Sequence, residues 1–150
     1  MSLQGSCVMS YAGDLTVQQC WDLLDQESNA FIIDVRTMAE WAYVGLPLLK
    51  DNMQPILLQQ WQVFPEMAVD GNFADHLQEK LRAAGANAES KLCFLCRSGV
   101  RSLAAAEVMT AAGYANSFNI SGGFEGDLDS DGHRGGRNGW KAEGLPWQQR

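Results

Sequence analysis

The chain has 150 residues, 46% of them hydrophobic, which suffices for one sizeable core and not for two of ordinary size. Its net charge of -7 excludes a general nucleic-acid or anionic-membrane binder, because both need a positive surface. No run reaches the length of a membrane-spanning helix, and the N-terminus lacks a basic region followed by a long apolar core. The expectation is a cytoplasmic protein of one domain over 1–150, its core at about 8–147, with no nucleic-acid or membrane partner.

Thr16 followed three residues later by Gln19 is a capping-box pattern and predicts a helix to about Gln26, with Val17, Cys20, Trp21 and Leu24 on its apolar face. Phe31-Ile32-Ile33-Asp34-Val35 reads as a buried strand that ends in the charged turn Asp34-Val35-Arg36, with Glu40-Trp41 shortly after. Ile56-Leu57-Leu58 is a short strand candidate, and Phe73, Leu77 and Leu81 mark a helix ending at Gly85. Leu92-Cys93-Phe94-Leu95 is the next buried strand. Val100, Leu103, Ala104, Val108 and Ala111 then define a helix that stops at Gly113, and Phe118-Asn119-Ile120 a last strand. Strands alternating with helices imply an α/β fold, a mostly parallel sheet of about five strands with helices on both faces. Ligands bind such sheets beyond the carboxyl ends of the strands, which gathers Asp34-Val35-Arg36, the Cys96 loop and Ser121-Gly122-Gly123 at one edge.

Cys96-Arg97-Ser98-Gly99-Val100-Arg101-Ser102 lies between a strand and a helix N-terminus. A sulfur there faces backbone N–H groups and the positive end of the helix dipole, and Arg97 and Arg101 add to that field. Both effects favour thiolate, the nucleophilic form. The other cysteines, Cys7, Cys20 and Cys93, are expected to be reduced thiols in a chain without secretory marks. Cys93 forms a C-x-x-C string with Cys96 but is embedded in the strand, so core packing is favoured over a redox pair.

The Cys96 loop resembles the active-site loop of the rhodanese sulfurtransferases, and Asp34-Val35-Arg36 with Glu40-Trp41 is similar to the first signature of that family. Ser121-Gly122-Gly123-Phe124 and Gly139-Trp140 through Pro146-Trp147 look like the closing segments of bacterial single-domain members. The resemblance implies a rhodanese-like fold, Cys96 as catalytic residue, and Arg97, Ser98, Gly99, Val100, Arg101 and Ser102 as a persulfide-binding loop. It implies Asp34, Arg36 and Glu40 as loop supports, Asp34 holding Arg101 and Arg36 pairing with Glu40. Four residues separate Cys96 from Arg101, whereas the related cysteine phosphatases have five, so the ring suits a single sulfur better than a phosphate. One departure bears on substrate access: where many members carry a Gly-His-Ile-Pro-Gly-Ala-like stretch, this chain has Gly45-Leu46-Pro47-Leu48.

The implied reaction moves sulfane sulfur from a small donor such as thiosulfate to a thiol, cyanide or protein acceptor, with no cofactor and no metal. The alternatives are a sulfur-carrier or partner-binding module with little small-molecule turnover, and a cysteine phosphatase. Oligomeric state, physiological donor and acceptor are not specified by the sequence. Seven of fifteen glycines lie between Gly122 and Gly139, so 126–139 is expected to be a long mobile loop, either beside the pocket mouth with Arg134 and Arg137 available to an anion or a solvated connector. Asp127-Leu128-Asp129-Ser130-Asp131-Gly132 imitates the opening of a calcium loop, but the twelfth position is Asn138 and not glutamate, which favours a solvated acidic loop. His76 and His133 have no ligand partners at metal spacing, and Trp41, Trp61, Trp140 and Trp147 are expected in the core or pocket wall.

Overall fold

The computed structural model describes residues 10–63 and 66–149; Cys7 lies outside the described residues. Five strands form one parallel sheet: β1 (Gly13–Leu15), β2 (Ala30–Asp34), β4 (Leu57–Leu58), β7 (Lys91–Leu95) and β8 (Ser117–Ile120), in the order β1-β8-β7-β2-β4. The two most apolar runs occupy its middle because strands covered on both faces have no side for polar residues. All five residues of β2 are buried, and Ile33 and Asp34 lie opposite Phe94 and Leu95 of β7.

Helices cover both faces. On one, Phe31, Ile33, Leu92, Phe94 and Cys96 meet Phe73, Leu77 and Leu81 of α3 (Phe73–Ala83) and Ala105, Ala106 and Met109 of α4 (Val100–Ala111). On the other, Ala30, Ile32, Cys93 and Leu95 meet Val17, Cys20 and Leu24 of α1 (Val17–Gln26), together with Phe124, Trp140 and Leu145. The capping box at the start of α1 is formed in both directions: Gln19 N donates to Thr16 Oγ1 at 3.1 Å and Thr16 N to Gln19 Oε1 at 2.9 Å.

The period-two alternation of β7 decides the fate of the C-x-x-C string. Cys93 and Cys96 belong to the cores on opposite faces of the sheet, so they cannot pair. Cys93 instead contacts Cys20, whose thiol is pushed well above its ordinary value by that hydrogen bond and by burial. Cys20, Cys93 and Cys96 are all free.

Several short elements carry too little periodicity to be read from sequence. They are β1; a six-residue helix α2 (Met38–Tyr43); a hairpin of β5 (Gln62–Val63) with β6 (Ala68–Val69); and β3 (Leu46–Pro47), which pairs antiparallel with β9 (Trp147–Gln148). The glycine-rich segment is tied to itself and to its neighbours. Asp127 N donates to Asn138 Oδ1 at 2.8 Å, Gly135 N to Glu125 O at 2.7 Å and Trp140 N to Gly123 O at 2.8 Å. A Cβ on Gly126 would lie 2.0 Å from Asn138 O, so only glycine permits this closure. Asn138, the twelfth residue of the calcium-like string, thus serves as the loop's internal clasp. Trp140 is fully buried, edge-on to Trp21 at 5.8 Å, with its Nε1 donating to Pro146 O at 2.7 Å.

Candidate active site

The carboxyl ends of β2, β7 and β8 converge as the sequence predicts. β7 delivers Cys96 to the N-terminus of α4, where Gly99, in a left-handed conformation at φ 115°, turns the chain into the helix. Gly99 N donates to Cys96 Sγ at 3.1 Å. The sulfur is thus in contact with the amide of the residue that opens the twelve-residue helix α4, at the helix's positive end. Ser102 Oγ lies 3.1 Å from the same sulfur.

Cys96 is only 1% exposed and forms the floor of a hollow of about 280 Å³ with Gln62, Arg97, Ser98, Val100 and Arg101. Gln62, from the hairpin, had no motif to announce it. Arg97 is exposed at the rim, and Val100 is 78% exposed. The backing of the loop comes from Ser121–Gly126: Phe124 N donates to Cys96 O at 2.8 Å, and Glu125 N and Gly126 N both donate to Arg97 O at 3.0 Å. Gly123 lies so close that a Cβ would stand 2.5 Å from Arg97 O.

The three supporting residues are all present, but their pairing is exchanged relative to the expectation. Asp34 does not hold Arg101; it binds Arg36, whose Nε lies 2.9 Å from Oδ1 and Nη2 2.6 Å from Oδ2. Both side chains are fully buried. Residues two apart along an extended segment point to the same side, which brings Asp34 and Arg36 together on the face away from α4. Arg36 also donates to Gly45 O at 2.8 Å and lies 4.3 Å over the Phe124 ring. Gly45-Leu46-Pro47 thus braces the buried arginine and does not line the hollow over Cys96.

Arg101 is held instead by Glu40, Nη1 to Oε1 at 2.7 Å and Nη2 to Oε2 at 2.9 Å. Glu40 is placed by a second capping box, its backbone N donating to Thr37 Oγ1 at 3.3 Å at the start of α2. Burial pushes the Glu40 carboxyl up, but the hydrogen bonds and charge of Arg101 outweigh it and hold it below the usual range. Burial likewise opposes the Arg101 charge, and Glu40 outweighs it, keeping the guanidinium firmly protonated.

The glycine-rich segment borders a different hollow. Asp127, Asn138 and Gly139 line a cavity of about 500 Å³ that shares only Ser98 with the one over Cys96. Arg134 Nη1 donates to Gly126 O at 2.7 Å and Arg137 Nη1 to Leu128 O at 3.4 Å, so both are turned to their own loop and not to the Cys96 mouth. His76 pairs with Asp70 at 2.9 Å.

Residues 16–129 match the family model of the rhodanese-like domain. The chain belongs to the rhodanese-like domain family. An uncharacterised protein of Rickettsia rickettsii, the RP600 homolog, is 40% identical over 130 residues, covering 87% of this chain and 92% of that protein. The crystal structure of Rv0390 from M. tuberculosis superposes with a TM-score of 0.82 at 41% identity, covering 93% of this rhodanese and 99% of that chain. The solution structure of the polysulfide-sulfur transferase homodimer from Wolinella succinogenes shares the fold, with a TM-score of 0.59 at 21% identity over 99% of this chain and 86% of that one.

Proposed function

We propose that this rhodanese-like protein is a sulfurtransferase that carries sulfane sulfur on Cys96. The observation that carries the reading is the position of Cys96 Sγ, 3.1 Å from Gly99 N at the floor of a small hollow bordered by Arg97 and Arg101. The Cys96 thiolate attacks the outer sulfur of thiosulfate; the new S–S bond forms as the old one breaks, and sulfite leaves with the electron pair. The outer sulfur of the resulting persulfide carries the negative charge, which the α4 N-terminus favours. Attack by cyanide or a thiol on that outer sulfur releases the Cys96 thiolate.

Thiosulfate treatment should add one sulfur atom to Cys96, detected by intact-protein and peptide mass spectrometry. Cys96→Ser should abolish the addition, and labelling of Cys93 instead would overturn the assignment. A second reading is delivery to a protein acceptor with little small-molecule turnover. Persulfide transfer to protein thiols, far outpacing steady-state thiosulfate:cyanide turnover, would establish it.

A further inference from the structure

A chain of hydrogen bonds runs from Cys96 to the far edge of the sheet. Ser102 Oγ, 3.1 Å from Cys96 Sγ, donates to Asn119 Oδ1 at 2.6 Å, and Asn119 Nδ2 donates to Asp14 Oδ1 at 3.2 Å. Tyr11 OH donates to the same Asp14 oxygen at 3.0 Å. Ser102 and Asn119 are buried, and Asp14 is exposed on β1.

The direction of this chain is fixed by its outer end. An ionised carboxylate only accepts, so Asp14 requires the NH2 side of the Asn119 amide and thereby turns Oδ1 toward Ser102. An amide oxygen facing a hydroxyl takes that hydroxyl's hydrogen, and serine has one. Ser102 is left with a lone pair toward Cys96 Sγ, which suits an S–H donor and opposes the bare thiolate. For Ser102 to donate to the thiolate it must abandon Asn119 Oδ1, a buried acceptor.

We propose that Asp14 and Asn119 are positioning residues that hold the Ser102 proton away from Cys96 and so oppose formation of its reactive thiolate. The inference rests on Cys96 being the nucleophile of the proposed sulfur transfer, and it goes beyond that reading by adding a brake that originates more than eighty residues earlier in the chain. The brake and the accelerator are distinct: the Gly99 amide stabilises the anion, while the Ser102 lone pair disfavours it.

The test is the rate at which iodoacetamide alkylates Cys96 at one fixed neutral pH, followed by mass spectrometry with the label located by peptide mapping. Asn119→Ala and Asp14→Ala should each accelerate alkylation about three- to tenfold, the equivalent of one neutral hydrogen bond. Either change lets Ser102 turn its hydrogen to sulfur. In a Ser102→Ala background both accelerations should shrink to less than about twofold, because the competing proton is gone. A merely structural role, or removal of the Asp14 charge alone, would not depend on Ser102.

Slower or unchanged alkylation with Ser102 in place would overturn the proposal, and so would full acceleration without it. Should Asn119→Ala fail to fold, Asp14→Ala, at an exposed position, carries the same expectation. Sulfur loading of the wild type by thiosulfate is measured alongside. Loss of loading with the alkylation cycle intact would sink the sulfur-transfer reading and leave the brake standing; the converse would sink only the brake.

Discussion

Glu40 joins a helix cap to a reactive loop, and its charge is what the second of these tasks needs. Glutamine would still complete the capping box with Thr37, but it cannot neutralise Arg101. A carboxyl depressed in the folded protein stabilises it above the unfolded value, ordinarily 4.5, and that contribution is lost as pH falls through the lower folded value. Glu40→Gln should therefore cost about 1–3 kcal/mol at neutral pH and flatten the decline in stability below pH 4.5. Urea unfolding across a pH series reads both. An unchanged acid decline would assign that sensitivity to other carboxylates. The exchanged pairs at this scale had a signal in the sequence: Asp34 and Arg36 are two apart at a strand end and so share a side, whereas nothing local to Glu40 points to a residue sixty-one positions on.

Between elements, the loop after β8 acts as a template for the loop after β7. Gly123, at φ 65°, presents no side chain to the Cys96 and Arg97 carbonyls. Gly123→Ala should combine a left-handed strain of about 1–2 kcal/mol with a contact that only a shift of the Cys96 loop can relieve. Thiosulfate loading and melting temperature should fall together. Gly132→Ala, at φ 78° with open space around it, should show the strain alone and keep loading. Equal loading in both variants would mean that the template does not set the geometry around Cys96. Apolar runs made β2, β4, β7 and β8 legible in the sequence and apolar periodicity made α1, α3 and α4 so, and the strand ends flanking Cys96 located the site. β3, β5, β6 and β9 were not legible, because two-residue strands have no period to read and exist only through their partners. Gln62 reaches the hollow over Cys96 on one of these.

Across the whole molecule the charge is -7, so a dianionic donor such as the proposed thiosulfate would approach against the net field and be drawn in only by the local one. Arg36 is neutralised by Asp34 and buried, and Arg101 is neutralised by Glu40. Among the described residues Arg97 is the exposed arginine lining the Cys96 hollow for which no ion pair is formed. Its carbonyl is fixed by Glu125 and Gly126, so truncating the side chain should leave the loop backbone in place. Arg97→Ala should slow loading from thiosulfate about five- to tenfold, an effect of roughly 1–1.4 kcal/mol for one exposed charge facing a dianion. The loss should appear in KM with kcat nearly unchanged, since the group attracts the donor without touching the persulfide's Gly99 amide. Raising the ionic strength should shrink the difference between wild type and variant, as screening removes what the substitution removes. A neutral donor such as an organic trisulfide separates charge from geometry. It should load both proteins at rates within about twofold of each other, as expected when a single screened surface charge has no anion to act on. Equal losses with both donors would instead make Arg97 a structural support of the Cys96 loop.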